Sequence, residues 1–372
     1  MRILYLGIAG NEHLRRWVAA SVVRGHEAHV ASFEASPVPG ATLHPLRRHD
    51  NKLTRYIEAV PELRRLVAKL APDLLHVHYL TGYGYLAPWL RFRPWAMTIW
   101  GTDVYKNPSR TLADQLLSRA ALRSADLVIG DSRDAVRAAG ELGARPRRSL
   151  VIPWGVEVDR FSPIAGSSVR REALLSELEI PESATIVLSA RSLSEEFYRV
   201  GDIVRGSLQA METCDTLFLV VAGDGPLLKP LRSAVSGHSC STRIRWLKQV
   251  PRTRMVSLMS LADIYVSVPT HDATSVALLE AMSSGCAVVA SDLPSNREWI
   301  VPRPDRGATG TIVPARSPDS IADAIRSLAE DRQERERLSR AARDMIVRHA
   351  DFDLCQERVD RAVRAVVERA RQ

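Results

Sequence analysis

The chain has 372 residues, 45% hydrophobic and 25% charged; this ordinary globular composition excludes collagenous, coiled-coil and disordered classes, and at roughly 150 residues per domain it leaves room for two or three. No stretch approaches the roughly 18 apolar residues of a spanning helix. The opening run Ile3–Leu6 stops at Gly7, too short for a secretory leader and readable as a buried strand. Cys214, Cys240, Cys286 and Cys355 stand far apart, without a Cys-x-x-Cys pair or histidines at ligand spacing. Reduced thiols in the cytoplasm, and no metal site, are expected.

The net charge of +8 is unevenly spread: residues 1–165 carry 23 Lys and Arg against 15 Asp and Glu, and the remainder 28 against 28. The densest stretch includes Arg47, Arg48, Lys52, Arg55, Arg64, Arg65, Lys69, Arg91 and Arg93. It reads either as a solvated arginine-rich face or as attraction to an anionic membrane surface or a phosphate-bearing partner. No nucleic-acid module accompanies it, so nucleic acid is not an expected partner.

In chain order, strand-like runs occur at Arg2–Gly7, Ala28–Ser32, Leu74–His78, Ala96–Trp100, Leu127–Gly130 and Leu150–Pro153. Between them lie helical-period segments such as Leu53–Leu70, whose apolar residues recur every three or four positions. Phe161–Ser168 reads as a linker. The pattern resumes with strands Ile186–Ala190, Leu217–Gly223, Ile244–Leu247, Ile264–Val268 and Ala287–Ser291, separated by helices Ile203–Met211, Thr253–Leu261 and Ser275–Ser284. Charged helices Asp319–Leu328, Glu330–His349 and Leu354–Arg369 close the chain. The alternation predicts an α/β protein of two doubly wound halves, with ligands at the carboxyl ends of parallel strands.

Three segments carry chemistry. The turn Gly7–Glu12 leads from the first strand into a helix; Gly10 there permits close backbone approach to an anion, or simply makes a strand–helix turn. In His271–Gly285, Thr274 and Ser275 can cap a helix that Gly285 ends, with Asp272 just before it and Glu280 inside. An acid within an apolar helix needs a partner, either the hydroxyls of a ribose or a structural arginine. Arg191, just past a strand, suits a diphosphate; Arg199 either joins it or pairs with Glu195 or Glu196.

These residues, taken together, resemble the retaining GT-B glycosyltransferases of family four, the group 1 superfamily. The resemblance rests on Asp272 and Glu280 with seven residues between them, Glu280–Ser291 as Glu-Ala-Met-x-x-Gly-x-x-Val-Val-Ala-Ser, Arg191 and Arg199, and Gly223-Asp224-Gly225-Pro226. It extends to Pro153–Glu157 with Phe161-Ser162-Pro163, to Asp73–His78, and to Thr98-Ile99-Trp100-Gly101-Thr102-Asp103. Asp272 stands where the family has Glu, Arg199 where it has Lys, Trp100 where His is common, and Lys248 where its nucleotide loop often has Gly.

The resemblance implies an acceptor-side domain over residues 1–160, completed by a last helix at about 354–372, and a nucleotide-sugar domain over 161–353. It implies transfer of a hexose or N-acetylhexosamine from a nucleotide sugar, UDP-linked by default, to a glycan, lipid-linked or small-molecule acceptor. Asp272, Arg191 and Arg199 would be catalytic; Gly10, Trp246, Val250, Thr274, Ser275, Val276 and Glu280 would join them in holding the donor. Glu12, His78, Trp100 and Asp103 would face the acceptor, although His78 also fits a core histidine. No cofactor or metal is implied, and a cytoplasmic location is expected, with membrane association open. A related epimerase or phosphorylase, or a nucleotide-sugar-binding protein without turnover, are the alternatives.

Overall fold

Val, Ile and Leu fill both odd and even positions of the strand segments, which leaves neither face of a sheet for water. A computed structural model describes the chain except residues 107–108, 164–168, 303 and 305–306, and the side chains of residues 52, 53 and 146. The end of the expected linker, 164–168, lies outside the described residues, as do the side chains of Lys52 and Leu53.

Two units form, Met1–Trp154 with Asp353–Gln372, and Gly155–Phe352. The division falls at 154/155, several residues before the expected 160/161. The cause is backbone pairing: Val156 N–H donates to Ala350 O (2.7 Å) and Val156 O accepts from Phe352 N–H (2.8 Å), which ties residues 155–156 to the second unit.

The first unit holds seven parallel strands: β1 (Arg2–Leu6), β2 (Glu27–Ser32), β3 (Thr42–Pro45), β4 (Leu74–His78), β5 (Trp95–Thr98), β6 (Leu127–Gly130) and β7 (Ser149–Val151). Their order is β3-β2-β1-β4-β5-β6-β7. Ile3 of β1 lies opposite Ala28 of β2 and Leu74 of β4, so the order reverses between β1 and β4. Side chains alternate along β4: Leu75 and Val77 join Leu4, Leu6 and Met97 in one core, while His76 and His78 face the other way with Tyr5 and Trp17. The last helix, Phe352–Arg371, buries Val359, Val363, Val366 and Val367 and is pinned by His26 to Asp360 (2.6 Å) and by Arg24 to the Asp353 carbonyl (3.1 Å).

The second unit holds six: β8 (Thr185–Ser189), β9 (Leu217–Ala222), β10 (Ile244–Leu247), β11 (Ile264–Ser267), β12 (Ala287–Ser291) and β13 (Thr311–Val313), in the order β10-β9-β8-β11-β12-β13. All are parallel. Alternate residues feed two cores: Ile186, Leu188, Val220, Tyr265 and Val288 enter one, and Val187, Leu219, Val221, Val266 and Val289 the other. The short edge strands β3 and β13 are not among the expected strands; β3, Thr-Leu-His-Pro, carries a single aliphatic residue and so has no apolar run to mark it.

Candidate functional site

In the second unit the strand order reverses between β8 and β11, and the residues leaving those strands meet there. Arg191 donates from Nε to Ser267 Oγ at the end of β11 (2.8 Å) and from Nη2 to Asp272 Oδ2 (2.9 Å). Its guanidinium also lies 5.2 Å from the centre of the Tyr198 ring. Burial works against its charge, but Asp272 foremost outweighs burial and holds the group above its ordinary value. A fixed cation therefore stands at the switch point, where doubly wound folds take ligands.

The Gly-Asp-Gly-Pro turn sets the backbone that carries Arg191. Leu193 N–H donates to Asp224 O and Leu227 N–H to Leu193 O, each at 3.0 Å. A Cβ on Gly223 would lie 2.1 Å from Arg191 O, and one on Gly225 2.3 Å from the Leu193 carbonyl carbon. Gly225 also has φ +149°, which side chains rarely allow.

Ser275 caps the helix Val276–Ser283, its Oγ accepting from Leu278 N–H (3.2 Å), while Ser295 Oγ donates to Asp272 O (3.1 Å) and anchors the preceding loop. Thr274 is buried against Trp299, and Val276 is half-buried at the first turn. Glu280 is buried and accepts from Arg252 Nη1 (2.9 Å); Arg252 also reaches Glu157 (2.8 Å). Of the two partners open to Glu280, the structure supplies the arginine. Arg252 carries no sequence signal, since it heads a separate helix 28 residues away.

Arg199 bonds to a different set of groups from Arg191. It adopts a left-handed conformation (φ 55°) ahead of the helix Val200–Met211 and donates from Nε to Asp202 Oδ2 (2.6 Å), with Glu196 at 3.8 Å. Asp202 is 1% exposed and also paired with Arg205, so burial of that carboxylate claims the arginine. Trp246 and Val250, expected to act together, pack into different cores on opposite faces of the sheet.

In the first unit the turn after β1 is already occupied. Gly10 N–H donates to Glu34 Oε2 (3.1 Å) and Ala9 N–H to Ser32 Oγ (3.1 Å). Glu12 is the exposed first residue of the helix Glu12–Val23, where a carboxylate suits the helix dipole. His78 is fully buried, with neither ring nitrogen hydrogen-bonded among the described residues; burial, with His76 and His13 nearby, holds it neutral, well below the usual imidazole range. Its ring contacts Trp17 (5.1 Å) and Trp100 (6.2 Å), and Trp100 meets His13, Tyr79 and Trp154 edge-on.

Asp103 does not face outward. It is fully buried and accepts from the backbone N–H groups of Leu80 (2.8 Å) and Trp100 (2.9 Å), shaping the loop that presents Trp100. Burial pushes its carboxyl up to about 6, against the pull of those N–H groups. Among the described residues no His, Cys, Asp and Glu cluster could hold a metal, and no helix is long and apolar enough to cross a membrane.

Two doubly wound parallel sheets, the second with an arginine at its switch point and acids flanking a capped helix, define the GT-B class. The family model "Glycosyl transferases group 1" matches residues 171–345, and "Glycosyl transferase 4-like" matches residues 2–132. The chain belongs to the family-four, group 1 glycosyltransferases. It is 27% identical over 372 aligned residues to a GDP-mannose-dependent alpha-mannosyltransferase of Mycobacterium tuberculosis, covering 93% of this chain and 88% of that protein. It is 27% identical to a D-inositol 3-phosphate glycosyltransferase of Geodermatophilus obscurus, covering 79% of this chain and 66% of the relative. The fold matches the crystal structure of Anabaena Alr3699/HepE in complex with UDP-glucose, with TM-score 0.81, 17% identity and coverage of 98% and 100% of the two chains.

Proposed function

We propose that this protein transfers a hexose or N-acetylhexosamine from a nucleoside-diphosphate sugar to an acceptor hydroxyl, with retention of anomeric configuration. The observation that carries the reading is Arg191, anchored to Ser267 and Asp272 at the switch point of the second unit. As the glycosidic bond lengthens, positive charge grows on the sugar and negative charge on the departing diphosphate. A pre-oriented guanidinium stabilises that negative charge without reorganising. The N-terminus of the helix Val276–Ser283, behind its Ser275 cap, adds the positive end of a dipole. Asp272 both orients Arg191 and is 24% exposed at its side chain, which leaves it available to a sugar hydroxyl. Glu280, steadied by Arg252, is assigned to the ribose, and Val250 to the base.

UDP is the expected nucleotide by resemblance, while relatives are named for GDP-mannose. A calorimetric titration with UDP, GDP and their hexoses decides between them. Binding of one nucleotide is expected; binding of neither would overturn the reading.

The acceptor is proposed to be lipid-linked, met at an anionic membrane. Ile57, Trp89, Leu112 and Leu116 are 56–71% exposed, and the turn Ala87–Leu90 that carries Trp89 touches both the helix Lys52–Leu70 and the helix Leu112–Ser124. Arg64 donates to Trp89 O (2.9 and 2.6 Å) and stands among the cations of that face. An exposed indole with an arginine on its backbone, on a turn between two helices that carry exposed aliphatic residues, fits the boundary of an anionic bilayer. The protein is expected to float with vesicles containing phosphatidylglycerol, and Trp89→Glu to weaken this. Equal flotation of the two proteins would remove the face from the argument.

A further inference from the structure

The second unit carries a cavity of about 830 Å³ beside the edge strand β10, walled on its other side by the helix Leu228–Val235. That volume suits a small organic ligand. Its lining contains Lys229, Arg232 and Lys248. Elsewhere in this unit arginines are engaged: Arg191 by Asp272, Arg199 by Asp202, Arg252 by Glu280, Arg254 by Glu177. The side chains of Lys229, Arg232 and Lys248 make no ion pair or hydrogen bond among the described residues. The cavity's carboxylate, Asp224, accepts from the adjacent Gly225 N–H (2.8 Å) and is the lone acid among the lining residues. The result is a local excess of positive charge, three cations against one acid, in a half of the chain whose 28 cations and 28 acids balance.

The placement of the charges narrows the ligand. Lys229 and Arg232 are three residues apart on the helix and so share a face. Lys248 follows β10 on the opposite wall, two residues after Trp246, which is half-buried and offers a flat apolar surface beside Ile244. Cations on both walls suit more than one anionic group, and the indole suits a ring. The cavity shares Asp224 and Gly225 with the turn that supports Arg191, but its lining contains none of the side chains assigned to the donor above, Arg191, Asp272, Glu280 or Val250, and Trp246 packs into the core opposite the one that Val250 enters.

We propose that this cavity is a second binding site, for a small ring-bearing phosphate ester such as a nucleotide or a sugar bisphosphate. Its phosphates are held by Lys229, Arg232 and Lys248, and its ring rests on Trp246. The proposal does not depend on the donor site and can be tested with that site weakened at Arg191.

The test is calorimetric titration of the full-length Arg191→Ala protein with adenosine 5′-diphosphate, fructose 1,6-bisphosphate and inorganic pyrophosphate. Binding of a ring-bearing probe that persists in this background is expected. It should weaken at least tenfold when Lys229→Ala and Arg232→Ala are added, both positions being exposed and free of structural bonds. Any quenching of tryptophan fluorescence on binding should vanish in Trp246→Phe. Absence of binding by every probe, binding indifferent to the Lys229 and Arg232 substitutions, or pyrophosphate binding as tightly as the ring-bearing probes would overturn the proposal. Loss of all binding on Arg191→Ala alone, from a wild type that binds, would assign the ligand to the donor site instead and overturn it too. Failure of the wild type to bind UDP or GDP bears on the transferase reading and leaves this one standing.

Discussion

Arg191→Ala is expected to lower kcat/KM for sugar transfer by about 10²–10³-fold, the loss typical of removing one donor from a developing negative charge. The substitution also leaves Asp272 without the partner that orients it, so donor affinity should fall with the rate. Arg191→Lys should recover only part of the activity. It keeps the charge but loses the planar fork that reaches Ser267 and Asp272 at once. Arg199→Ala is the informative comparison, because Arg199 is spent on Asp202 and Glu196. Its transfer rate should stay within the same order of magnitude as wild type while its melting temperature drops. Steady-state kinetics beside thermal melts separates the two arginines. A wild-type rate in Arg191→Ala would remove the leaving-group assignment, and an inactive but stably folded Arg199→Ala would transfer it to Arg199.

The second large effect is expected from one methyl group. Gly223→Ala places a Cβ 2.1 Å from the Arg191 carbonyl oxygen, a separation that real contacts do not tolerate. Both partners are backbone, so no rotamer change relieves the clash, and the β8 and β9 exits must move apart. Overpacking of this kind costs about 3 kcal/mol, and for a unit of this size that corresponds to a melting-temperature loss of about 10 °C. Because the displaced atom belongs to Arg191, nucleotide affinity should fall as well. Gly237→Ala serves as the control, since nothing lies within 4 Å of its added Cβ. Melting curves and nucleotide titrations on the two variants give the answer; equal stability would show that the turn is more pliable than its contacts imply.

Much of this arrangement is legible in the residues themselves. β8 and β12 are short, apolar and bounded by small or polar residues, and the helix Val276–Ser283 has its serine cap before it and Gly285 just after it. Such elements are specified locally, so they can be read locally. The partner of Glu280 is specified only by tertiary packing: nothing near Arg252 in sequence says that it will reach both Glu280 and Glu157. Arg199 is a related case. Its spacing from Arg191 fits the motif, and the structure adds a partner that the spacing does not announce, a buried carboxylate three residues on in the helix that follows. Asp103 is expected on the acceptor side by resemblance alone, and no residue beside it announces that the backbone N–H groups of Leu80 and Trp100 close over it. Trp246 shows the limit of reading by segment: Val250 lies three residues beyond the end of β10 and packs into the other core.

The chain order of the last helix has a consequence for synthesis. Residues 353–372 belong to the first unit but leave the ribosome after all of residues 155–352. The second unit is contiguous and can close as soon as it has emerged. The first unit must wait, with the surface destined for Val359, Val363, Val366 and Val367 uncovered, until the final turns of the chain arrive. The usual amino-to-carboxyl order of domain maturation is thereby inverted: the half that is made first is the half that is finished last.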